Sequence, residues 1–207
     1  MWTPGPMFWV ETGASLLGIW GVWDLGGGRR RGYITGILST STYVALCAIH
    51  GIYADAVING WYTVMGFVGW FAWGQRKNDN SVVSVRSMDA QGFWGGIVSG
   101  LLAWFLFWGL LRYYTDSTVV VWDATTSALA ITAMLWMAAG FTWNWPLWLI
   151  INMLSVGLYI HKGMLPTAGQ YTVFGFLALR GWWIWSRARL VRTEPRDEKS
   201  LLQQKVD

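Results

Sequence analysis

Long uncharged stretches alternate with short charged or glycine-rich breaks along the whole chain. A helix needs about 20 mostly apolar residues to cross the hydrocarbon core of a bilayer. Seven stretches reach that scale, at roughly 8–24, 32–50, 54–74, 92–114, 118–139, 144–161 and 164–186. The breaks between them are chemically sensible. "DLGGGRRRG" is a tight glycine-rich turn, "GQRKNDNSVVSVRSMDAQ" is the one long polar loop, and Pro146 falls near a helix start, where proline is tolerated. The residues after Arg187 form a polar segment predicted to be a disordered tail. The pattern predicts an all-α membrane protein with seven transmembrane helices.

Charge placement tests that count. With seven spans, the 1–2, 3–4 and 5–6 loops share a side with the C-terminal tail, and that side holds 12 of the 15 basic residues. The positive-inside rule then places the N-terminus outside and the C-terminus in the cytoplasm of a multi-pass protein of the cell inner (plasma) membrane. Composition agrees, with 54% hydrophobic and 13% charged residues against about 25% charged in an average soluble domain. The net charge of +4 does not cluster on a soluble face, so nucleic acid is not an expected partner, whereas the lipid bilayer is. The single cysteine, Cys47, excludes an internal disulfide. "MWTPGPMFWVETG" has no basic n-region and is read as the start of the mature protein, not a signal peptide.

The chain matches itself at an offset of 112 residues. Glu11 falls on Asp123, Ser15 on Ser127, Val44 on Val156 and Leu46 on Leu158, and "GWFAW" (69–73) falls on "GWWIW" (181–185). Each half is three spans. The intervening span 4 restores the direction of the second half, so the predicted architecture is 3+1+3 with parallel repeats. The first repeat covers residues 1–75, the loop and linker helix 76–116, the second repeat 117–187 and the tail 188–207. Parallel repeats are a known transporter design with the substrate site at their interface near mid-membrane. In span 4, Gly92, Gly96 and Gly100 form a small-xxx-small stripe. It is expected to let span 4 lie flat against a repeat, with a homo-oligomer contact as its second use.

Polar side chains are set into these spans on defined faces. In "TWNWPLWLIINMLSVGLYIHKG" (142–163), Trp145, Trp148, Asn152, Ser155 and Tyr159 share one helical face, with Asn144 at its start. Span 3 carries Asp55, Asn59, Tyr62, Gly66, Gly69 and Trp73 in the same fashion. Span 7 opens with Thr167, Gln170, Tyr171 and Phe174, and span 5 with Asp123, Thr125, Thr126 and Ser127. Lipid cannot satisfy such groups, so they face the protein interior. Interhelical bonding alone explains any one of them. Amides and aromatics together on one face suit a flat ring carrying hydroxyls. Trp2, Trp9, Trp73, Trp122 and Trp185, at span ends, are expected to be headgroup-level belt residues. Arg180, inside span 7, is expected to snorkel to the cytoplasmic end.

No span contains a lysine for a retinal Schiff base, and no P-loop, metal cluster or base–nucleophile pair is evident. An enzyme is not expected, and no cofactor.

"NWPLW…IN..SVGLYIHKG" (144–163), "DATTSAL" (123–129) and "YADA…NGWY…GWFAW" (53–73) resemble the Pnu-type vitamin transporters, which include the nicotinamide riboside branch. The resemblance covers the chain from span 1 to span 7. It implies a seven-helix 3+1+3 fold, similar to a doubled SWEET unit, and facilitated diffusion of a small-molecule vitamin that a cytoplasmic kinase then traps. By position, Trp148 and Asn152 match the family's span-6 pattern and Asn59 and Tyr62 its span-3 pattern, with Thr126 and Gln170 as looser matches. The family commonly carries a carboxylate where Asn152 stands, and the amide is expected to alter substrate preference. The short segment before span 1 leaves out the further N-terminal helix of some members. Gly66, Gly69 and Pro166 are expected bending points for two rocking three-helix units. The expected substrate-binding set is Trp148, Asn152, Asn59, Tyr62, Thr126, Gln170, Asn144, Ser155 and Tyr171. Nicotinamide riboside is the first expected substrate and thiamine or riboflavin the alternative. A receptor or scaffold that uses the polar faces only as glue is the competing class.

Overall fold

The computed structural model describes residues 6–50, 53–75, 85–114, 119–161 and 165–193. Among them run seven helices: α1 (Pro6–Gly26), α2 (Gly32–Ile49), α3 (Tyr53–Gln75), α4 (Ala90–Tyr114), α5 (Val120–Ala139), α6 (Asn144–His161) and α7 (Leu165–Thr193). They follow the seven apolar stretches closely. The exception is the end of α7, which continues through "RARLVRT" to Thr193 where a tail was expected from residue 188. Arginine and leucine are good helix formers, and nothing in that run breaks the helix. Among the described residues α2, α4 and α5 are long and apolar enough to cross a membrane by length and composition alone.

Successive helices pack side by side within α1–α2–α3 and within α4–α5–α6–α7, and α1 meets α7 while α3 meets α5. The α1–α2 and α5–α6 turns are built alike, 112 residues apart. Each carries a left-handed glycine, Gly28 at φ 71° and Gly140 at φ 78°, a conformation that glycine adopts without steric cost. Gly28 N–H donates to the Leu25 carbonyl and Gly140 N–H to the Met137 carbonyl, each at 2.9 Å. A second donor then reaches each of these carbonyls from another helix. Trp185 Nε1 donates to Leu25 O at 3.3 Å, and Trp73 Nε1 to Met137 O at 3.0 Å. The last carbonyls of a helix lack intrahelical partners, and the indoles fill that need.

The same correspondence continues around these tryptophans. Tyr33 packs edge-on against Trp73 at 4.9 Å, and Trp145 edge-on against Trp185 at 5.5 Å. A Cβ on Gly69 would collide with the Tyr33 ring, and one on Gly181 with the Trp145 ring. Trp73 and Trp185 meet each other at 5.6 Å between centroids. Each is only 1% exposed, which corrects their expected place in the headgroup belt. Their indoles sit at helix ends, where unpaired carbonyls are found inside the protein as well as at its surface. Trp9 and Trp122 are exposed as expected, and Trp2 lies outside the described residues. Gly66 and Gly69, expected as bending points, lie against Ile37 and Tyr33 in close helix contacts. The Pro166 side chain lies outside the described residues.

The glycine stripe of α4 seats that helix on α5. Side chains on Gly92, Gly96 and Gly100 would run into Phe141, Trp136 and Thr132 in turn. Trp136 Nε1 donates to the Gly92 carbonyl at 3.0 Å. Away from α5, α4 exposes Trp94, Leu101, Leu102 and Phe105.

Replacing either buried tryptophan with phenylalanine removes one interhelical hydrogen bond, worth about 0.6 kcal/mol on average in membrane proteins. Trp73→Phe and Trp185→Phe are expected to lower the thermal unfolding temperature in detergent by similar, modest amounts. Gly96→Leu overpacks the α4–α5 contact, costs about 1–3 kcal/mol, and should lower it further.

Candidate functional site

The polar face of α6 is turned inward. Trp145, Asn152 and Ser155 are buried, and Trp148 and Tyr159 are half-buried. Their spacing of three and four residues puts them on one line along the helix, and the long apolar residues Ile150, Met153 and Ile160 fall on the outer face. The centre of the site lies where this line meets α3, α5 and α7. Trp148 and Tyr62 pack on the same cluster of Ala130, Ala133 and Ile151. The small alanines of α5 make room for the two aromatic side chains. Tyr159 and Tyr62 lie close enough for electrostatic interaction. Tyr159 stacks on Tyr171 of α7 at 5.2 Å and 13°, and Tyr171 meets Phe174 edge-on at 6.4 Å. Gly175 of α7 lies across from the Asn152 side chain.

Several polar groups here lack protein partners. Trp148 Nε1 is buried with no hydrogen-bond partner among the described residues. An unmade bond to a buried donor costs about 1–3 kcal/mol. No hydrogen bond is formed by the Asn152 or Ser155 side chains among the described residues, although both are buried. The α6 line therefore presents an indole N–H, an amide and a hydroxyl without protein partners among the described residues, with the stacked Tyr159 and Tyr171 beyond them.

Other predicted residues are placed differently. Asn144 is fully buried at the α5–α6 turn, where Nδ2 donates to the Phe141 carbonyl at 2.6 Å. Eleven residues separate it from Ser155, about 16 Å along the helix axis, so it belongs to the end of the bundle with Trp145 and Trp185. Its Oδ1, with Thr142 Oγ1 and Trp145 Nε1, is also without a partner among the described residues. Thr126 turns its hydroxyl back onto the Trp122 and Asp123 carbonyls of its own helix, both at 3.1 Å. Asn59 and Gln170 are half-buried, and the Asn59 carbonyl accepts the Thr63 hydroxyl at 3.0 Å. The side chains of Asp55 and Thr167 lie outside the described residues.

Sequence reasoning missed the alanine floor supplied by Ala130 and Ala133. The available signal was the run of small residues in α5, Ala124, Ala128, Ala130 and Ala133, all buried. Two surface clefts, one at the start of α4 lined by Asp89, Phe93 and Trp136 and one at the α4–α5 junction lined by Trp108 and Arg112, contain none of the predicted site residues. Among the described residues no group of three His, Cys, Asp or Glu side chains is placed to hold a metal ion.

Comparisons with known proteins agree with this architecture. A family model described as nicotinamide mononucleotide transporter matches residues 8–187. The nicotinamide riboside transporter PnuC of Escherichia coli (strain K12) is 22% identical over 203 residues, covering 86% of this chain and 84% of that protein. The protein of the same name from Neisseria mucosa is 22% identical over 159 residues, covering 74% of this chain and 60% of its own. The fold is similar to the crystal structure of the vitamin B3 transporter PnuC, with a TM-score of 0.72 and 20% identity over 89% of this chain and 83% of that one.

Asn144→Ala removes a buried bond at the turn and is expected to cost about 1 kcal/mol of stability. Asn152→Ala removes no protein hydrogen bond and should leave thermal unfolding in detergent nearly unchanged.

Proposed function

The chain belongs to the nicotinamide mononucleotide transporter family, and from that membership we propose that it carries nicotinamide riboside across a cell membrane by facilitated diffusion. The observation that carries the reading to this chain's own residues is the polar line of α6, with Trp148 Nε1 buried and unpartnered where Trp148 and Tyr62 pack on Ala130, Ala133 and Ile151. A nicotinamide ring is flat, carries an amide and is cationic in the riboside. Aromatic faces attract such a ring, and Asn152, Ser155, Tyr62 and Tyr171 supply hydrogen-bonding groups for its amide and the ribose hydroxyls. Asn59, Gln170 and Thr126 complete the site at its edges on α3, α7 and α5. Asn144 supports α6 from the turn below.

In this reading α1–α3 and α5–α7 are parallel repeats about an axis along the membrane normal, with α4 as linker. The recurrence of Gly28 as Gly140, Tyr33 as Trp145 and Trp73 as Trp185, in matching contacts, supports it. The site lies between the repeats and opens to each side in turn. The turn-bearing end, rich in arginine, faces the cytoplasm, and the N-terminus faces outward. No step requires an energy source. Phosphorylation by a cytoplasmic kinase draws the free riboside down and sustains uptake. Phosphorylated substrate fits poorly, because the arginines at the turn-bearing end are engaged: Arg29 and Arg31 with Asp24, and Arg30 with the Trp70 carbonyl.

Titrating the purified protein in detergent with nicotinamide riboside, its mononucleotide, thiamine and riboflavin tests the reading through intrinsic tryptophan fluorescence, with inner-filter controls. Saturable quenching by the riboside is expected. Trp148→Ala should abolish it, and Asn152→Ala should weaken it by up to about tenfold, the upper end for one neutral hydrogen bond, with unfolding temperatures nearly preserved. Loss of binding only in step with loss of stability would favour a scaffold that uses these residues as glue.

A further inference from the structure

Two seams hold α1–α3 to α5–α7, one where α1 meets α7 and one where α3 meets α5. At their ends they are made of matching parts, Trp185 on the Leu25 carbonyl and Trp73 on the Met137 carbonyl. Just inside, they differ. Arg180 of α7 donates Nη1 to the Trp23 carbonyl of α1 at 3.0 Å, and its guanidinium centre lies 3.6 Å from the Trp23 ring centroid. The residues at the same offset in the other seam are Val68 and Leu135. Neither side chain can hydrogen-bond. The backbones of α1 and α7 also approach closely, because a Cβ on Gly26 would lie 3.4 Å from the Gly181 Cα. The residue matching Gly26 in α5 is Ala138.

A guanidinium that bonds a carbonyl while covering an indole joins the two helices through two contacts of one side chain. The α1–α7 seam has this clamp in addition to its indole bond, and the α3–α5 seam has the indole bond without it. Arg86 N–H donates to the Gly140 carbonyl at 2.8 Å, which ties α4 to the α5–α6 turn and so to the second half.

From this broken symmetry we infer that the α1–α7 seam, clamped by Arg180 on Trp23, is the hinge of the carrier, and that the α3–α5 seam is the one that parts. Opening releases the Trp73 indole from the Met137 carbonyl, while Trp185 stays on Leu25. The inference rests on the transport reading for its purpose, but its physical content is a difference in rigidity that needs no ligand to be seen.

Spin labels at two pairs of positions matched by the 112-residue offset test it, in a Cys47→Ala background. Labels at Gln75 and Ala139 span the α3–α5 seam, and labels at Arg187 and Gly27 span the α7–α1 seam. Without ligand, the first pair should give the broader distance distribution. Added nicotinamide riboside should shift the first pair and leave the second in place. Arg180→Val, and separately Trp23→Leu, should broaden the second pair until the difference between seams is lost. Val68→Arg with Leu135→Trp should narrow the first pair. Equal widths in the unmodified protein, a broader α7–α1 pair, or a second pair unmoved by both clamp variants would overturn the inference. Unequal widths with no shift on adding the riboside would leave the hinge standing and remove the substrate.

Discussion

The backbone carbonyl at the end of a helix inside a membrane protein is the constraint on which this structure turns. It has no next turn to bond to, and hydrocarbon offers no water in its place. At Leu25 and Met137 the need is met twice over, by a left-handed glycine N–H from the following turn and by an indole N–H from a helix of the other half. Local turn formation and the joining of the two halves therefore use the same two oxygen atoms. The buried aromatic cluster of Tyr33, Trp73, Trp145 and Trp185 forms around them, and the glycines at 69 and 181 exist to let those rings come in.

The site stands in contrast to that region. Near the turns, the indoles of Trp73 and Trp185 have found carbonyls. Trp145 has not, nor, one turn further along α6, has Trp148, and Asn152 and Ser155 make no protein hydrogen bond among the described residues. Trp148 packs with Tyr62 on the small side chains of α5, and Tyr159 stacks on Tyr171 further along α6.

Helix positions were legible in the sequence because a membrane span must be long and apolar, and the internal match survived because equivalent turns need the same glycines and the same rings. The inward face of α6 was legible for a related reason, since asparagine and serine cannot face lipid. The roles of the tryptophans were not. Trp9, Trp73, Trp122 and Trp185 all stand at span ends, and a tryptophan there serves a headgroup or a helix carbonyl equally well; only the packing separates exposed Trp9 from buried Trp73. Asn144 was grouped with Asn152 because both sit on a polar stretch of α6, yet Nδ2 of Asn144 is bonded to the Phe141 carbonyl while its Oδ1 has no partner among the described residues. Nothing in the pattern of types distinguishes an amide that closes a turn from one further along the helix that does not. The span-7 boundary was missed because the helix continues past the apolar stretch without any breaking residue.

The matched pair of indole bonds bears on how such a chain could arise. A three-helix unit holding one buried tryptophan and one helix-end carbonyl contains both partners of the contact, so two identical units close it around a two-fold axis with nothing left unbonded. Gene duplication and fusion of such a unit would preserve that pairing from the outset. What fusion adds is permission for the copies to drift apart in sequence. A homodimer must place the same residue at both of its seams, whereas a fused chain can keep Arg180 at one and Val68 at the other.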